Sequence, residues 1–332
     1  MDLQQRLDSL EKLRDYISSD NDSWMQAIEK AHRENGWFTP GFINLAINNI
    51  VNQFLQKQLL EEWVKKYNIP RNVESPKNVG IVMAGNIPLV GFHDFLCVFV
   101  SGHRQTIKPS SKDAILIRHL VNTLTEWNGA VRDHVALADM LKGCDAYIAT
   151  GSNNSSRYFE YYFRQYPHII RKNRTSVAVL TGNETVDDLE KLADDVYNYF
   201  GLGCRNVTKI FVPREYDFVP LLETFKKYDD LADHNKYRNN YDYQLALLII
   251  NKQYYMTNGS IILVEDKAEF SAISRLNYEF YDDEEIVWKS LAENRNIQCV
   301  IGEKFLEPGQ AQKPGLTDYA DGIDTMLFLR SL

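Results

Sequence analysis

The sequence predicts an α/β protein of two domains, the first built on a doubly wound parallel sheet. Three observations predict it. Short apolar runs of strand length alternate with helix-length segments from residue 79 onward, the rhythm of strand–helix–strand units. The turns after these runs carry Gly, Pro, Asn and Ser, the usual punctuation between strands and helices. The 332 residues are enough for about two domains, each with its own core.

Residues 1–66 read as helices: Leu3, Leu10, Leu13 and Ile17 recur near helical spacing, and 42–65 continues the pattern. Ile69-Pro70 and Ser75-Pro76 close that region. VGIVM at 79–83 suits a buried strand ending in Ala84-Gly85-Asn86. Pro88 is expected to open a buried helix through LVGFHDFLCVFVSG, which is apolar nearly all round,. Arg104–Lys108 follows as a second strand, 113–127 as a second helix, and Val135–Leu141 and Ala146–Thr150 as further strands. Near 175, SVAVL begins another set, and 186–200 is an amphipathic helix with acidic first turns, ended by Gly201 and Gly203,. Thr208–Val212 is the next strand, stopped by Pro213. The polar stretch 228–243 reads as solvated surface, LALLII at 245–250 as buried, SIILV at 260–264 as a strand, and 282–294 as an acidic helix,. The expected division is 1–175, 176–300 and a tail, 301–332, that returns across both domains.

Thirty-seven Lys and Arg against 45 Asp and Glu give a net charge of −8, which offers no global attraction to nucleic acid or an anionic membrane. Cys97, Cys144, Cys204 and Cys299 lack CxxC spacing, so neither a zinc pattern nor a disulfide scaffold is indicated, and no metal site is assigned. The first residues are charged and helix-like, without the apolar core of a signal peptide,. The apolar stretch Val79–Gly102 is interrupted by Asn86, Pro88, His93 and Asp94 and is no membrane span,. These readings place the protein in a reducing cytoplasm.

Chemistry-bearing residues fall in the turns. Cys204 lies in Gly201-Leu202-Gly203-Cys204-Arg205, between the amphipathic helix and a strand. A small apolar role would explain a lone cysteine, but glycines admit another molecule to the backbone, and Arg205 and Lys209 favour a thiolate. Cys97 and Cys299 read as core, and Cys144 much the same. Asn86 occupies the turn after the first buried strand; a ligand donor and a turn-former are both consistent with it. Lys108-Pro109-Ser110-Ser111 ends the second strand, where a Lys reaches a ribose or phosphate or else lies on open surface. Gly151-Ser152 precedes a helix whose N-terminal N–H groups suit a pyrophosphate, and helix capping explains Ser152 equally well. GxGxxG, Walker A, HExxH and GxSxG signatures are absent,.

The order Asn86, Lys108-Pro109-Ser110, Gly151-Ser152, Cys204 resembles that of the aldehyde dehydrogenase superfamily. More narrowly, with the tail Gly309–Gly315 followed by DYADGIDTM, the chain resembles the acyl-CoA reductase family that includes the fatty-acid reductase of bacterial luminescence. The resemblance spans roughly 75–332. It implies an aldehyde-dehydrogenase-like fold, with a doubly wound cofactor-binding domain and an α/β catalytic domain. It also implies that Cys204 is the nucleophile forming an acyl-enzyme thioester, and that Asn86 with the Cys204 N–H forms an oxyanion hole. Lys108, Ser110, Ser111, Gly151 and Ser152 would bind the cofactor.

Two departures from the superfamily pattern sharpen the expectation. Oxidising members carry a Glu upstream of the Cys in an ELGG-like stretch, and here that neighbourhood is His168-Ile169-Ile170-Arg171-Lys172-Asn173. Without that base, water attacks the thioester poorly; His168 is an acid/base candidate or a surface histidine before a basic run, and Arg171-Lys172 either meets the phosphates of an acyl carrier such as CoA or is solvated surface. NAD-preferring relatives often place a Glu after KPS, whereas Ser111-Lys112 here tolerates a 2′-phosphate, so NADP(H) is expected. The approximate counterpart of a further family Glu, at Glu269-Phe270-Ser271, is one position out of register and is assigned no role. The reading is NADPH-dependent reduction of an acyl-CoA or other acyl-carrier thioester to an aldehyde, with an acyl-activating partner protein and a homo-oligomer left open. The alternatives are an oxidising NAD(P)-dependent aldehyde dehydrogenase and a non-catalytic scaffold for acyl carriers or partner proteins.

Overall fold

Capping residues start the leading helices of this computed structural model, which describes residues 1–332. Asp2 forms a capping box at α1 (Leu3–Ile17), Asn21 caps α2 (Asp22–Glu34), and Thr39 caps α3 (Pro40–Gln53), which has Pro at its first position,. Helix α4 (Lys57–Lys66) completes the set. Their inward residues, among them Leu10, Leu13, Trp24, Ile43, Ile47 and Trp63, join one apolar core with the sheet that follows.

The chain divides into two units, Met1–Asn173 with Pro314–Leu332, and Arg174–Lys313. The first contains a five-stranded, all-parallel sheet of β1 (Asn78–Val82), β2 (Arg104–Lys108), β3 (Val135–Leu137), β4 (Ala146–Thr150) and β5 (His168–Arg171), in the order β3-β2-β1-β4-β5. Crossovers include α5 (Phe92–Ser101), α6 (Ala114–Trp127) and α7 (Asn153–Phe163). As its composition demands, α5 is buried along nearly its whole length, and left-handed Gly102 (φ 86°) ends it,. Residues 314–332 return to this unit: Trp63 Nε1 donates to the Tyr319 hydroxyl at 3.0 Å, and Tyr67 donates to Asp324 at 2.6 Å.

The second unit holds a six-stranded sheet ordered β11-β6-β7-β10-β9-β8. Its strands are β6 (Thr175–Val179), β7 (Val207–Pro213), β8 (Met256–Thr257), β9 (Ile262–Glu265), β10 (Arg275–Tyr281) and β11 (Ile297–Ile301), with β8 alone antiparallel. Its helices are α8 (Val186–Tyr197), α9 (Phe218–Thr224), α10 (Asn235–Ile250) and α11 (Glu284–Ala292); the last helix of the chain, α12 (Thr325–Arg330), belongs to the first unit. No helix is long and apolar enough to cross a membrane.

Three expectations about elements are corrected. The helix expected to open at Pro88 begins at Phe92, because Leu89 takes a left-handed conformation (φ 55°) that no helix continues through,. The strand expected over Val135–Leu141 ends at Leu137. LALLII is not a buried run but the end of α10, where only Leu248 is fully buried and Ile250 is 75% exposed. A continuous apolar run cannot all face inward from a helix with one packed side.

Candidate active site

Parallel register brings the cofactor-binding expectations onto one edge. Val82, the last residue of β1, pairs with Lys108 of β2 and Ala149 of β4, so the three strands end at the same level. Asn86 follows β1, Lys108 closes β2 ahead of Ser110 and Ser111, and Gly151-Ser152 follows β4. The sheet grows one way from β1 through β2 to β3 and the other way through β4 to β5. This is the switch point at which open α/β sheets bind ligands, beyond the carboxyl ends of the strands. Asn86, Lys108, Ser111 and Ser152 are exposed there, and Ser110 and Gly151 are half-buried.

The loops at this edge hold one another. A Cβ on Gly85 would lie 2.5 Å from Ser110 Oγ and 3.1 Å from Asp113 Cβ, so the Asn86 loop rests directly on the loop after Lys108. Asp113 is buried, and its Oδ2 accepts from the Leu89 N–H at 2.7 Å, holding the left-handed turn that follows Asn86. Burial pushes the Asp113 carboxyl well above its ordinary range, against the pull of that N–H bond,. Sequence reasoning took Asp113 only as the start of a helix; a carboxylate so close after a Lys-Pro-Ser turn was its sole signal. Ser152 caps α7, accepting from the Ser155 N–H at 3.3 Å. Gly151 admits no side chain, since a Cβ would meet Phe159 at 2.9 Å and Ser155 at 3.0 Å.

Cys204 belongs to the second unit. Helix α8 gives way to three consecutive left-handed residues, Tyr199 (φ 55°), Phe200 (φ 57°) and Gly201 (φ 73°). For Tyr199 and Phe200 this conformation costs on the order of 1–3 kcal/mol each. Burial of both rings secures the turn, and so does Asn206. The Asn206 side chain, wholly buried, accepts from Gly203 N–H at 2.8 Å and donates to the carbonyls of Asp195, Val196 and Asn198 at 3.0, 3.3 and 2.8 Å. The Cys204 segment is thereby clamped to the end of α8 just ahead of β7. Asn206 was missed in the sequence; a polar residue opening an apolar strand was the available clue.

Cys204 itself is half-buried, and its carbonyl accepts from Ser176 Oγ at 3.1 Å. The same hydroxyl lies 3.0 Å from the Cys299 sulfur, and burial raises the Cys299 thiol against the opposing influence of Arg205 and this hydrogen bond. Cys299 is half-buried rather than core, whereas Cys97 and Cys144 are buried. Lys209 does not serve the thiol as expected: it is buried on β7, with Nζ 2.6 Å from Glu279 and 2.8 Å from the Lys267 carbonyl.

Beneath this segment, Asp195 of α8 is buried and accepts from the Gly309 and Ala311 N–H groups at 2.7 and 3.1 Å, anchoring the GQAQKPG stretch. Burial outweighs these bonds and lifts its carboxyl from 3.8 to about 7. Between about pH 4 and 7 the folded chain therefore holds a proton that the unfolded chain has released, and stability falls as pH rises through that window. Asp195→Asn is expected to gain on the wild type across it, by at most about 4 kcal/mol at one pKa unit per about 1.4 kcal/mol. Urea unfolding of both proteins at several pH values checks this; parallel pH profiles would count against it.

Other candidates lie elsewhere. His168 opens β5 at the amino edge of the sheet, opposite Asn86, where its Nδ1 bonds the Tyr166 carbonyl at 2.8 Å. Arg171 is not a surface cation for carrier phosphates: it is buried, held by Asp94 at 2.5 Å and by Thr325 Oγ1 at 2.8 Å. Lys172 remains half-exposed and pairs with Glu160 at 2.9 Å. Glu269, given no role, is held by Asn296 at 2.9 Å and by Asn294.

The sequence profile of the acyl-CoA reductase (LuxC) family matches residues 9–223. No protein of curated function matches the chain. Among solved structures it is similar to aldehyde dehydrogenase 21 of Physcomitrella patens in complex with the reaction product succinate, 12% identical over 92% of this chain and 74% of that one, TM-score 0.67. It is also similar to an NAD-dependent benzaldehyde dehydrogenase of Corynebacterium glutamicum (13%, 89% and 75%, TM-score 0.64). A third is the NAD+ complex of a Bacillus cereus aldehyde dehydrogenase (12%, 92% and 72%, TM-score 0.65). At these identities the likeness is one of fold, and the fold is that of the aldehyde dehydrogenases.

Proposed function

We propose, from the premise that this chain belongs to the acyl-CoA reductase (LuxC) family, that it reduces a fatty acyl thioester to an aldehyde with NADPH. Family and fold make it an oxidoreductase of acyl and aldehyde chemistry. The observation that carries the finer reading is the clamped, strained turn that presents a half-buried Cys204. Asn206 fixes the backbone turn that carries Cys204 through the Gly203 N–H and the carbonyls of Asp195, Val196 and Asn198, and a fixed turn suits a positioned nucleophile.

In this reading the Cys204 thiolate attacks the acyl carbon, a new C–S bond forms, the C–S bond to the carrier breaks, and the carrier leaves as a thiolate that takes a proton from solvent. The Asn86 amide and the Cys204 N–H stabilise the oxyanion; one such donor is worth on the order of 10²–10³ in rate. Lys108 with Ser110 and Ser111 holds the cofactor's ribose, and Gly151-Ser152 with the start of α7 takes its pyrophosphate. The fit rests on the exposed Lys108 and Ser152 at the switch-point edge, and on a Gly151 too crowded to carry a side chain. Bound there, the dinucleotide supplies the hydride that takes the Cys204 thioester to the aldehyde level. Ser111 and Lys112, both exposed, favour NADPH over NADH, since no carboxylate stands there to repel a 2′-phosphate,. The carrier is CoA or a carrier protein, with an acyl-activating protein as a further partner, and four free thiols suit a reducing cytoplasm,.

Product analysis tests the reaction. Acyl-CoA with NADPH is expected to yield fatty aldehyde, free CoA and NADP+ in equal amounts. Carboxylate formed from aldehyde and NADP+ without added thiol would instead favour an oxidising dehydrogenase.

A further inference from the structure

Between residues 76 and 103 one residue is exposed, Asn86. It stands in the loop from β1 to α5, where every other residue is buried or half-buried. The backbone on either side of it is pinned. Before it, the Met83 N–H donates to the Lys108 carbonyl at 3.1 Å, and Gly85 rests on Ser110. After it, the Leu89 N–H donates to Asp113 Oδ2 at 2.7 Å, and the Leu89 carbonyl accepts from the Phe92 N–H at 2.9 Å.

Asp113 makes its contact at the expense of its own helix. It occupies the N-cap position of α6, where an aspartate ordinarily bonds the free N–H groups of the first turn. Its side chain makes no such bond. It crosses instead to Leu89, 24 residues away, and secures a left-handed leucine (φ 55°), a conformation that persists only where its surroundings hold it,. The carboxyl is buried, and its Oδ1 has no hydrogen-bond partner. Burial drives it toward the neutral form,. A helix start without its side-chain cap, a left-handed leucine and a half-bonded buried carboxyl are three local costs met at one turn. Such costs collect where a site must be shaped, and here all three bear on the backbone that carries the exposed Asn86.

We propose that Asp113 is a positioning residue for the reduction: through the Leu89 N–H it fixes the turn that sets the Asn86 amide at the oxyanion. The inference rests on the reductase reading, and in it Asp113 touches no reacting atom.

Single-turnover acylation of Cys204 by acyl-CoA, followed by intact mass in a double-variant cycle, tests it. Asn86→Ala is expected to slow acylation by on the order of 10²–10³. Asp113→Ala, which leaves the Leu89 N–H unbonded, is expected to slow it about tenfold or more, with NADPH affinity within about threefold of wild type. Asp113→Asn, which keeps an acceptor for that N–H, is expected to recover most of the rate. In the Asn86→Ala background, Asp113→Ala is expected to cost less than about threefold, because the amide that it places is gone. A purely structural Asp113 would lower Tm and slow both backgrounds by the same factor, or neither. Either result overturns the proposal, as does an Asp113→Asn that stays as slow as Asp113→Ala. Should Asp113→Ala not fold, Asp113→Val, similar in volume and without an acceptor, takes its place; a chain that folds with neither marks Asp113 as structural and overturns the proposal too. A wild type that takes no acyl group, or an Asn86→Ala as fast as wild type, defeats the reductase reading and the proposal together. A slow Asn86→Ala beside a fast Asp113→Ala defeats the proposal alone.

Discussion

Cys204→Ala is expected to lower aldehyde formation by on the order of 10⁴-fold or more, since loss of a nucleophile removes the covalent route itself. Its fold should survive. The Gly203 N–H, the Cys204 carbonyl and the Asn206 side chain make bonds that shape the segment, and alanine keeps all three. Cys299, the neighbouring thiol that shares Ser176, offers no rescue because burial raises its pKa and keeps it protonated,. The check is turnover with acyl-CoA and NADPH, alongside circular dichroism and NADPH binding as controls for folding. Activity within tenfold of wild type would mean that the nucleophile lies elsewhere.

Asp94→Ala is expected to cost roughly 3–5 kcal/mol of stability, the range for removing one partner of a buried ion pair. Asp94 reaches Arg171 Nη1 with both carboxylate oxygens, at 2.6 and 2.5 Å, and the pair joins α5 to the end of β5 deep in the first unit. Without it Arg171 keeps only Thr325 as a side-chain partner, and its Nε is already unbonded. The double variant Asp94→Leu with Arg171→Met is expected to recover most of the loss, because well-packed apolar groups replace a buried pair at little cost. Urea midpoints of the two variants measure this. A single-variant loss below about 1 kcal/mol would show that water or another group reaches the guanidinium.

Much of this architecture was legible because strand-to-helix turns carry strong local chemistry. Lys108-Pro109 and Gly151-Ser152 mark where β2 and β4 end, and parallel register places those ends beside Asn86. Arg171 was misread for a physical reason: a cation in a basic run reads as solvated, and its partner Asp94 lies 77 residues away within an apolar helix. The helix start at Phe92 was also hidden, since Pro88 signals a first turn whereas left-handed Leu89, held by the distant Asp113, forbids one. The same holds for Asn206 and Asp195, whose roles rest on carbonyl and N–H groups that only the folded turn brings near. LALLII misled because one apolar run suits a buried strand or a helix with a single packed side equally well.

The central claim, a thiol that captures an acyl group and keeps it, is tested most directly by intact mass spectrometry after mixing the protein with acyl-CoA and no reductant. The account predicts a stable gain of one acyl group, mapped by proteolysis to the peptide holding Cys204, absent from Cys204→Ser, and discharged as aldehyde when NADPH is added. No gain with acyl-CoA or an acyl-carrier thioester, or a gain that persists in Cys204→Ser, would contradict it.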